Sequence, residues 1–260
     1  MANSKYEYVK KFEVPDPLLP SCWIVVRIDG KGFTKFSDIH DFEKPNDKRA
    51  LDLMDACASE LMKEFADIRL AYGESDEYSF VLDKDATLYG RRSSKIVSVL
   101  TSCFSSNYVR LWQRYMGNTD LKLTPMFDGR AVLYPNAKIV RDYLAWRQAD
   151  THINNQYNTC FWALVKSGKA PQEAQQILKG TLADFKNELL FTQFGINYSN
   201  LPEQFKKGTT IIRRKEPEVV KILPNGDPVE RMRTKPQILF CDIIGDKFWE
   251  DYPEILGGQD

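Results

Sequence analysis

Histidine is nearly missing from this chain: His40 and His152 are the two present among 260 residues. A three-histidine metal centre is therefore excluded, and carboxylates become the expected ligands of any ion. Cysteine is sparse, odd in number and never spaced as CxxC. Cys22, Cys57, Cys103, Cys160 and Cys241 are scattered, so neither a disulfide framework nor a zinc knuckle is indicated, and all read as reduced thiols, mostly core. Charge of one sign is not in excess either. With 36 basic against 36 acidic residues, the chain does not coat nucleic acid indiscriminately, and specific binding has to run through local patches. No apolar run reaches membrane-spanning length, and the opening "MANSKYEYVKK" lacks a hydrophobic signal region. No membrane partner is expected, and a cytoplasmic location, extending to the nucleus, is. Internal repeats and low-complexity tracts are absent as well.

What is present is enough apolar material, 43% with 12% aromatic, to bury a sizeable core, as one large domain or a domain with an appended lobe. "CWIVVRI", 22–28, is short, β-branched and bounded by Pro20 and Gly30, a buried strand. Leu51, Met54, Ala58, Leu61, Met62 and Phe65 recur at helical spacing over 47–65, with Asn46 or Asp47 placed to cap. "IRLAY" and "YSFVL" read as a hairpin about the polar turn "GESDE". A second helical pattern runs over 91–116, and "RAVLY", 130–134, closes with Pro135. The order strand, helix, hairpin, helix, strand is the split βαβ, ferredoxin-like order. The fold class expected is α+β: a βαββαβ unit within 1–135, followed over 136–260 by a mainly helical portion and a small β element around Asn225-Gly226, with 215–230 the segment expected to be mobile.

This order places chemistry. The third strand runs antiparallel beside the first, so the end of strand one, Asp29, and the turn before strand three, Asp76, share one edge of the sheet. Two such carboxylates suit Mg²⁺, which favours a couple of carboxylates plus substrate phosphate oxygens, and two ions could activate an attacking oxygen and stabilise a leaving one. Gly30 and Gly32 free the backbone to approach a triphosphate, and Lys31 and Lys35 add positive charge. Taken alone, Asp29-Gly30 reads first as a turn ending a strand; it is the Ser75-Asp76-Glu77 acidic cluster beside it that reverses the preference and argues for a bound cation. Because side chains alternate along a strand, Asp76 is assigned to the metal and Glu77 is left as a further ligand, a base or a solvated residue. Further on, His152, Asn155 and Asn158 form a polar stripe in a helix, suited to hydrogen-bonding RNA or to a satisfied seam between helices. Arg91, Arg92, Lys95 and Arg130 read as phosphate contacts or as solvated charge.

"RIDGKGFTKF", "KPND", "GESDEYSF", "DYLAWRQADTHINNQYNT", "NELLF" and "INY" resemble, in order and over nearly the whole chain, the eukaryotic tRNA-histidine guanylyltransferases. The resemblance implies a polymerase-like palm and Mg²⁺-dependent, 3′-to-5′ addition of a guanylate to the 5′ end of tRNA(His). ATP would adenylylate the 5′-monophosphate, the GTP 3′-hydroxyl would attack the activated end, and pyrophosphate would then be removed, with no nucleophilic side chain. It implies metal ligation by Asp29, the Gly30 carbonyl and Asp76. With Glu77 added from the residue pattern, the expected catalytic set is Asp29, Asp76 and Glu77, and the resemblance further implies nucleotide contacts from 29–34 (Asp29, Gly30, Lys31, Gly32, Phe33, Thr34), Lys44, Asn46, Ser75, Asp76, Lys95 and Arg130. RNA handling falls to His152, Asn155 and Asn158, and the assembly to a homodimer or homotetramer. Thr34 stands where many relatives carry His, and a hydroxyl cannot act as a base near neutral pH. Competing readings are a template-dependent 5′-end repair polymerase, a palm-domain nucleotide cyclase, and a non-catalytic RNA-binding protein.

Overall fold

The computed structural model describes residues 4–222 and 228–257. It is a mixed α/β fold built on a six-stranded antiparallel sheet in the order β4-β1-β3-β2-β5-β6. The strands are β1 (Trp23–Gly30), β2 (Ile68–Glu74), β3 (Glu77–Leu82), β4 (Phe127–Tyr134), β5 (Thr209–Ile222) and β6 (Pro228–Leu239). The helices are α1 (Phe33–Ile39), α2 (Lys48–Glu64), α3 (Ser93–Met116), α4 (Ala137–Lys166), α5 (Pro171–Leu178), α6 (Ala183–Phe194), α7 (Glu203–Lys207) and α8 (Asp246–Asp251).

Strand β1 is apolar on both faces because both are covered. Ile24, Val26 and Ile28 join the core under α2 and α3, while Trp23 and Val25 meet Val140, Tyr143 and Leu144 of α4. A third cluster, from Cys160, Leu164, Ala174, Leu178 and Leu190, fastens α5 and α6 to the far half of α4. Asp47, not Asn46, caps α2: its carboxylate accepts from the Arg49 N–H at 2.9 Å and the Glu43 N–H at 3.1 Å. All five cysteines are free thiols. Among the described residues no helix is long and apolar enough to cross a membrane.

Three expectations change. Residues 33–39, to which the sequence pattern assigned no element, are a helix, begun after Gly32 at φ 72°; that left-handed angle, not space, explains the glycine. The late β element is not separate, because β5 pairs with β2 from Leu70↔Ile212 to Gly73↔Thr209. This covers an edge the hairpin would otherwise leave open. The segment expected to be mobile is strand over 215–222 and 228–230, within a pairing that runs from Arg213↔Pro236 to Ile222↔Pro228. The Asn225-Gly226 turn lies outside the described residues.

Candidate active site

The hairpin β2-β3 turns on two residues, Ser75 and Asp76, with Ser75 at φ 48°. Asp29 lies directly across from Glu77 on β3 and Asp128 on β4, and the Gly30 N–H donates to the Asp76 carbonyl at 3.0 Å. The end of β1 and the hairpin turn are thus joined through their backbones. A Cβ at Gly30 would stand 2.8 Å from Asp76 Oδ2 and 2.5 Å from the Phe33 ring, so only glycine lets the Asp76 carboxylate lie over this stretch of backbone. Burial, followed by Asp29's negative charge, pushes the Asp76 carboxyl above its ordinary range, against the Ser75 hydroxyl that donates to it at 3.0 Å. Two repelling carboxylates beside a bare backbone are a donor set that fits a hard divalent cation. Among the described residues no group of three or more His, Cys, Asp or Glu side chains is arranged to hold a metal, so water or substrate oxygens would have to complete the shell.

Asp76 opens onto a cleft of about 420 Å³, within the range of small-molecule sites. Phe33, Thr34, Lys44, Asn46 and Ser75 line it from the sheet side, and Asn158, Tyr157, Phe161 and Trp162 from α4. Lys44 Nζ lies 2.9 Å from Asp38, donates to Ser37 Oγ at 2.7 Å, and stands 5.8 Å from the Trp162 ring centroid. The cleft therefore combines a cation and flat aromatic surface with the Asp76 carboxylate at its edge. The three aromatics went unremarked in the sequence, although Tyr157 and Phe161, one turn apart, mark a helix face directed at something other than the sheet.

The other expected residues divide. Lys31 is exposed and its N–H donates to the Met126 carbonyl at 2.8 Å. Arg130 is exposed, opposite Arg27 on the sheet, and donates to both Asp128 oxygens at 3.1 and 3.2 Å. Lys95, on α3, rests 4.8 Å from the Tyr89 ring centroid; neither it nor Arg130 lines the cleft. Arg91 is no phosphate ligand: its guanidinium donates to the carbonyls of Leu18, Leu19, Cys22, Lys84 and Ala86.

Two expected roles are corrected. Glu77, expected among the catalytic carboxylates, is neither solvated nor a free base. Its Oε1 accepts from Arg147 Nε at 2.8 Å and its Oε2 lies 3.6 Å from Arg27 Nε. Arg147, itself buried, also binds Glu74 and pairs with Asp150 at 2.8 Å. Glu74 and Glu77 bracket Ser75-Asp76, so one guanidinium clamps the turn from both sides. Burial still pushes the Glu74 carboxyl up to about 7. Asn155, expected to read RNA, is buried, 6% exposed. It accepts from Asn46 Nδ2 at 2.8 Å and donates to the Tyr198 hydroxyl at 3.0 Å, the satisfied seam that the sequence also allowed. Its neighbours in the stripe are accessible: Asn158 faces the cleft and His152 faces solvent beside Tyr198, its imidazole pKa lowered by burial and by Lys206.

A sequence profile of the family described as tRNAHis guanylyltransferase matches residues 6–135, and one described as Thg1 C terminal domain matches 138–245. A probable tRNA(His) guanylyltransferase of Dictyostelium discoideum is 54% identical over 260 residues, covering 100% of both chains. The chain belongs to the tRNA(His) guanylyltransferase family. Its fold superposes on the crystal structure of the Saccharomyces cerevisiae guanylyltransferase with a TM-score of 0.78 at 46% identity, covering 88% of this chain and 96% of that one. It shares its fold with a bacterial guanylyltransferase-like protein solved in complex with ATP, TM-score 0.73 at 21% identity, with 98% and 100% covered. Membership in the guanylyltransferase family accounts for the order of motifs that sets the end of β1 beside the Asp76 turn and the α4 face across the cleft from Asp76; Asp29 itself does not line the cleft.

Proposed function

We propose that this chain is a nucleotidyltransferase that adds a guanylate to the 5′ end of tRNA(His), with ATP and GTP as substrates. The observation that carries the reading is that a member of this family sets Asp29 beside the turn whose Asp76 opens onto the aromatic cleft. The strand order β4-β1-β3-β2, with α2 and α3 on one face, supports a ferredoxin-like, polymerase-like palm. In this reading 1–135 carries the chemistry and 136–260 completes the RNA-binding and oligomer surfaces of a cytoplasmic or nuclear homodimer or homotetramer.

Two Mg²⁺ ions, held by Asp29, the Gly30 carbonyl and Asp76, would supply the charge that activates the attacking oxygen and stabilises the leaving one. The protein's part is positioning. Lys44, Trp162 and Phe161 hold a nucleotide in the cleft, with Asn158 and Thr34 as hydrogen-bonding partners. Arg130 and Lys95, outside the cleft, are suited to a second phosphate chain approaching Asp29 from the β4 side. A 5′-phosphate oxygen of the RNA attacks the ATP α-phosphorus and pyrophosphate leaves. The GTP 3′-hydroxyl then attacks the activated 5′ phosphorus and AMP leaves, and hydrolysis of the new 5′-triphosphate releases pyrophosphate. Glu77 is given no proton to move, since Arg147 and Arg27 hold its carboxylate.

The test is incubation of purified protein with 5′-monophosphorylated tRNA(His), ATP, radiolabelled GTP and Mg²⁺. Label at the RNA 5′ end is expected. Cyclic GMP from GTP alone, with no labelled RNA, would give the site to a cyclase instead.

A further inference from the structure

Beyond Ile212 and Gln237, β5 and β6 leave the sheet and continue as a two-stranded arm paired to Ile222↔Pro228. Its root is fixed: Arg213 donates to the carbonyls of Phe65 at 2.6 Å and Ile68 at 2.7 Å and also to that of Met62. Strand β5 begins opposite Gly73, next to the catalytic turn, and passes Leu70 on the way out. The arm therefore leaves from the end of the sheet opposite Asp29 and Asp76. At about 3.3 Å per residue, Ile222 lies roughly 40 Å along the strand from Thr209.

The described residues of the arm carry more cations than carboxylates, in a chain whose formal charge is zero. Arg214, Lys215, Lys221, Arg231, Arg233 and Lys235 are exposed on it, against Glu216, Glu218 and Glu230. Cross-strand partners share a face, and the pairs Arg214↔Lys235, Glu216↔Arg233 and Glu218↔Arg231 put four cations and two carboxylates on one side. Arg214 stands directly opposite Lys235, a like-charge pair that costs stability unless an anion relieves it. Its side chain donates to the neutral Gln237 at 3.3 Å, while Glu218 is shared between Lys235 at 3.4 Å and Arg233 at 3.9 Å.

We propose that this ribbon binds the phosphodiester backbone of the RNA substrate, far from the 5′ end that reacts. The inference rests on the reading of tRNA as substrate. The reach of the arm excludes a role toward ATP or GTP in its own cleft, and its charge suits a polyanion, whose binding releases counterions and weakens with salt. Val219, Ile222 and Met232 are also exposed on the arm, so the occupant to be tested against RNA is a second copy of this chain.

The test combines Arg214→Gln, Arg231→Gln, Arg233→Gln and Lys235→Gln, all at exposed positions, and uses the single charge reversal Arg231→Glu as a second variant. Anisotropy with 5′-monophosphorylated tRNA(His) over a salt series should show at least ~10-fold weaker binding at low salt for the combined variant. The slope of log Kd on log salt should be shallower by roughly 2 to 4, at about 0.7 to 0.9 for each phosphate that is no longer neutralised. Arg231→Glu should move both in the same direction. KM for tRNA should rise while kcat at saturating tRNA and the KM values for ATP and GTP stay as in wild type. Unchanged affinity and slope would overturn the proposal. So would a matching rise in nucleotide KM, or a fall in sedimenting mass, which would assign the arm to a second copy. Failure of the guanylyltransferase reading would look different: the wild-type protein itself would give no labelled RNA.

Discussion

Replacing Arg147 by methionine tests whether its clamp holds the Ser75-Asp76 turn in place. The substitution keeps most of the side-chain volume and removes a guanidinium that is 9% exposed, between Glu74 at 9% and Glu77 at 12%. Glu77 would retain Arg27 at 3.6 Å, whereas Glu74 would be left buried beside it without its cation. Removing one partner of a buried pair costs about 3 to 5 kcal/mol, chiefly because the remaining charge has lost its compensation. The loss should also depend on pH. Glu74 already titrates near 7, raised from 4.5 by burial, so its folded form binds protons that the unfolded chain has released. Its contribution to stability is therefore greatest below its unfolded value and is lost as pH rises through the folded one. Without Arg147 that folded value rises further, so the variant should be closest to wild type near pH 5 and furthest from it near pH 8. Urea unfolding at these two pH values measures the difference, and adding Glu74→Gln to Arg147→Met should recover part of the stability at pH 8. Single-turnover guanylyl transfer, measured where both proteins are folded, should fall because the Asp76 turn has lost its brace. A stability loss below about 1 kcal/mol, together with wild-type transfer, would refute the clamp.

Asp29→Ala or Asp76→Ala should abolish nucleotidyl transfer with little change in melting temperature or tRNA affinity, and near-normal turnover in either folded variant would remove the metal role. Asp55 is buried, accepts from Tyr78 at 2.6 Å, Gln204 at 2.9 Å and Thr209 at 3.1 Å, and titrates at about 6 because burial outweighs these hydrogen bonds. Its folded pKa is raised, so it favours folding by about 2 kcal/mol more at pH 4 than at pH 7. Asp55→Asn should erase that difference in paired urea titrations, and parallel stability curves for the two proteins would contradict it. Asn155→Ala leaves the Asn46 amide without its acceptor and removes one donor from the Tyr198 hydroxyl, which keeps the His152 carbonyl at 3.3 Å, at a cost of about 1 to 3 kcal/mol. It should raise the KM for nucleotide without lowering tRNA affinity; a selective loss of tRNA binding at unchanged stability would restore Asn155 as an RNA ligand.

Local chemistry was enough to locate the two carboxylates. The apolar run of β1, the helical spacing over 47–65 and the polar turn before β3 each follow from side-chain patterning, and their order alone brings Asp29 beside the Asp76 turn. The resemblance of the motifs supplied the family, because long ordered strings such as "THINNQYNT" are specific where single residues are not. Side-chain partners across distant elements were not legible. Glu77 and Asn155 have the composition of functional residues, but only the approach of α4 to the sheet decides that Arg147 neutralises the first and that Asn46 and Tyr198 occupy the second. The same holds for β5, whose short apolar "TIIRR" is compatible with a separate hairpin until the free edge of β2 is available to it. Patterning reports what a segment can bury or expose locally, whereas the fate of a polar side chain depends on which partner the fold brings within about 3 Å, and that distance is set by packing between segments far apart in sequence.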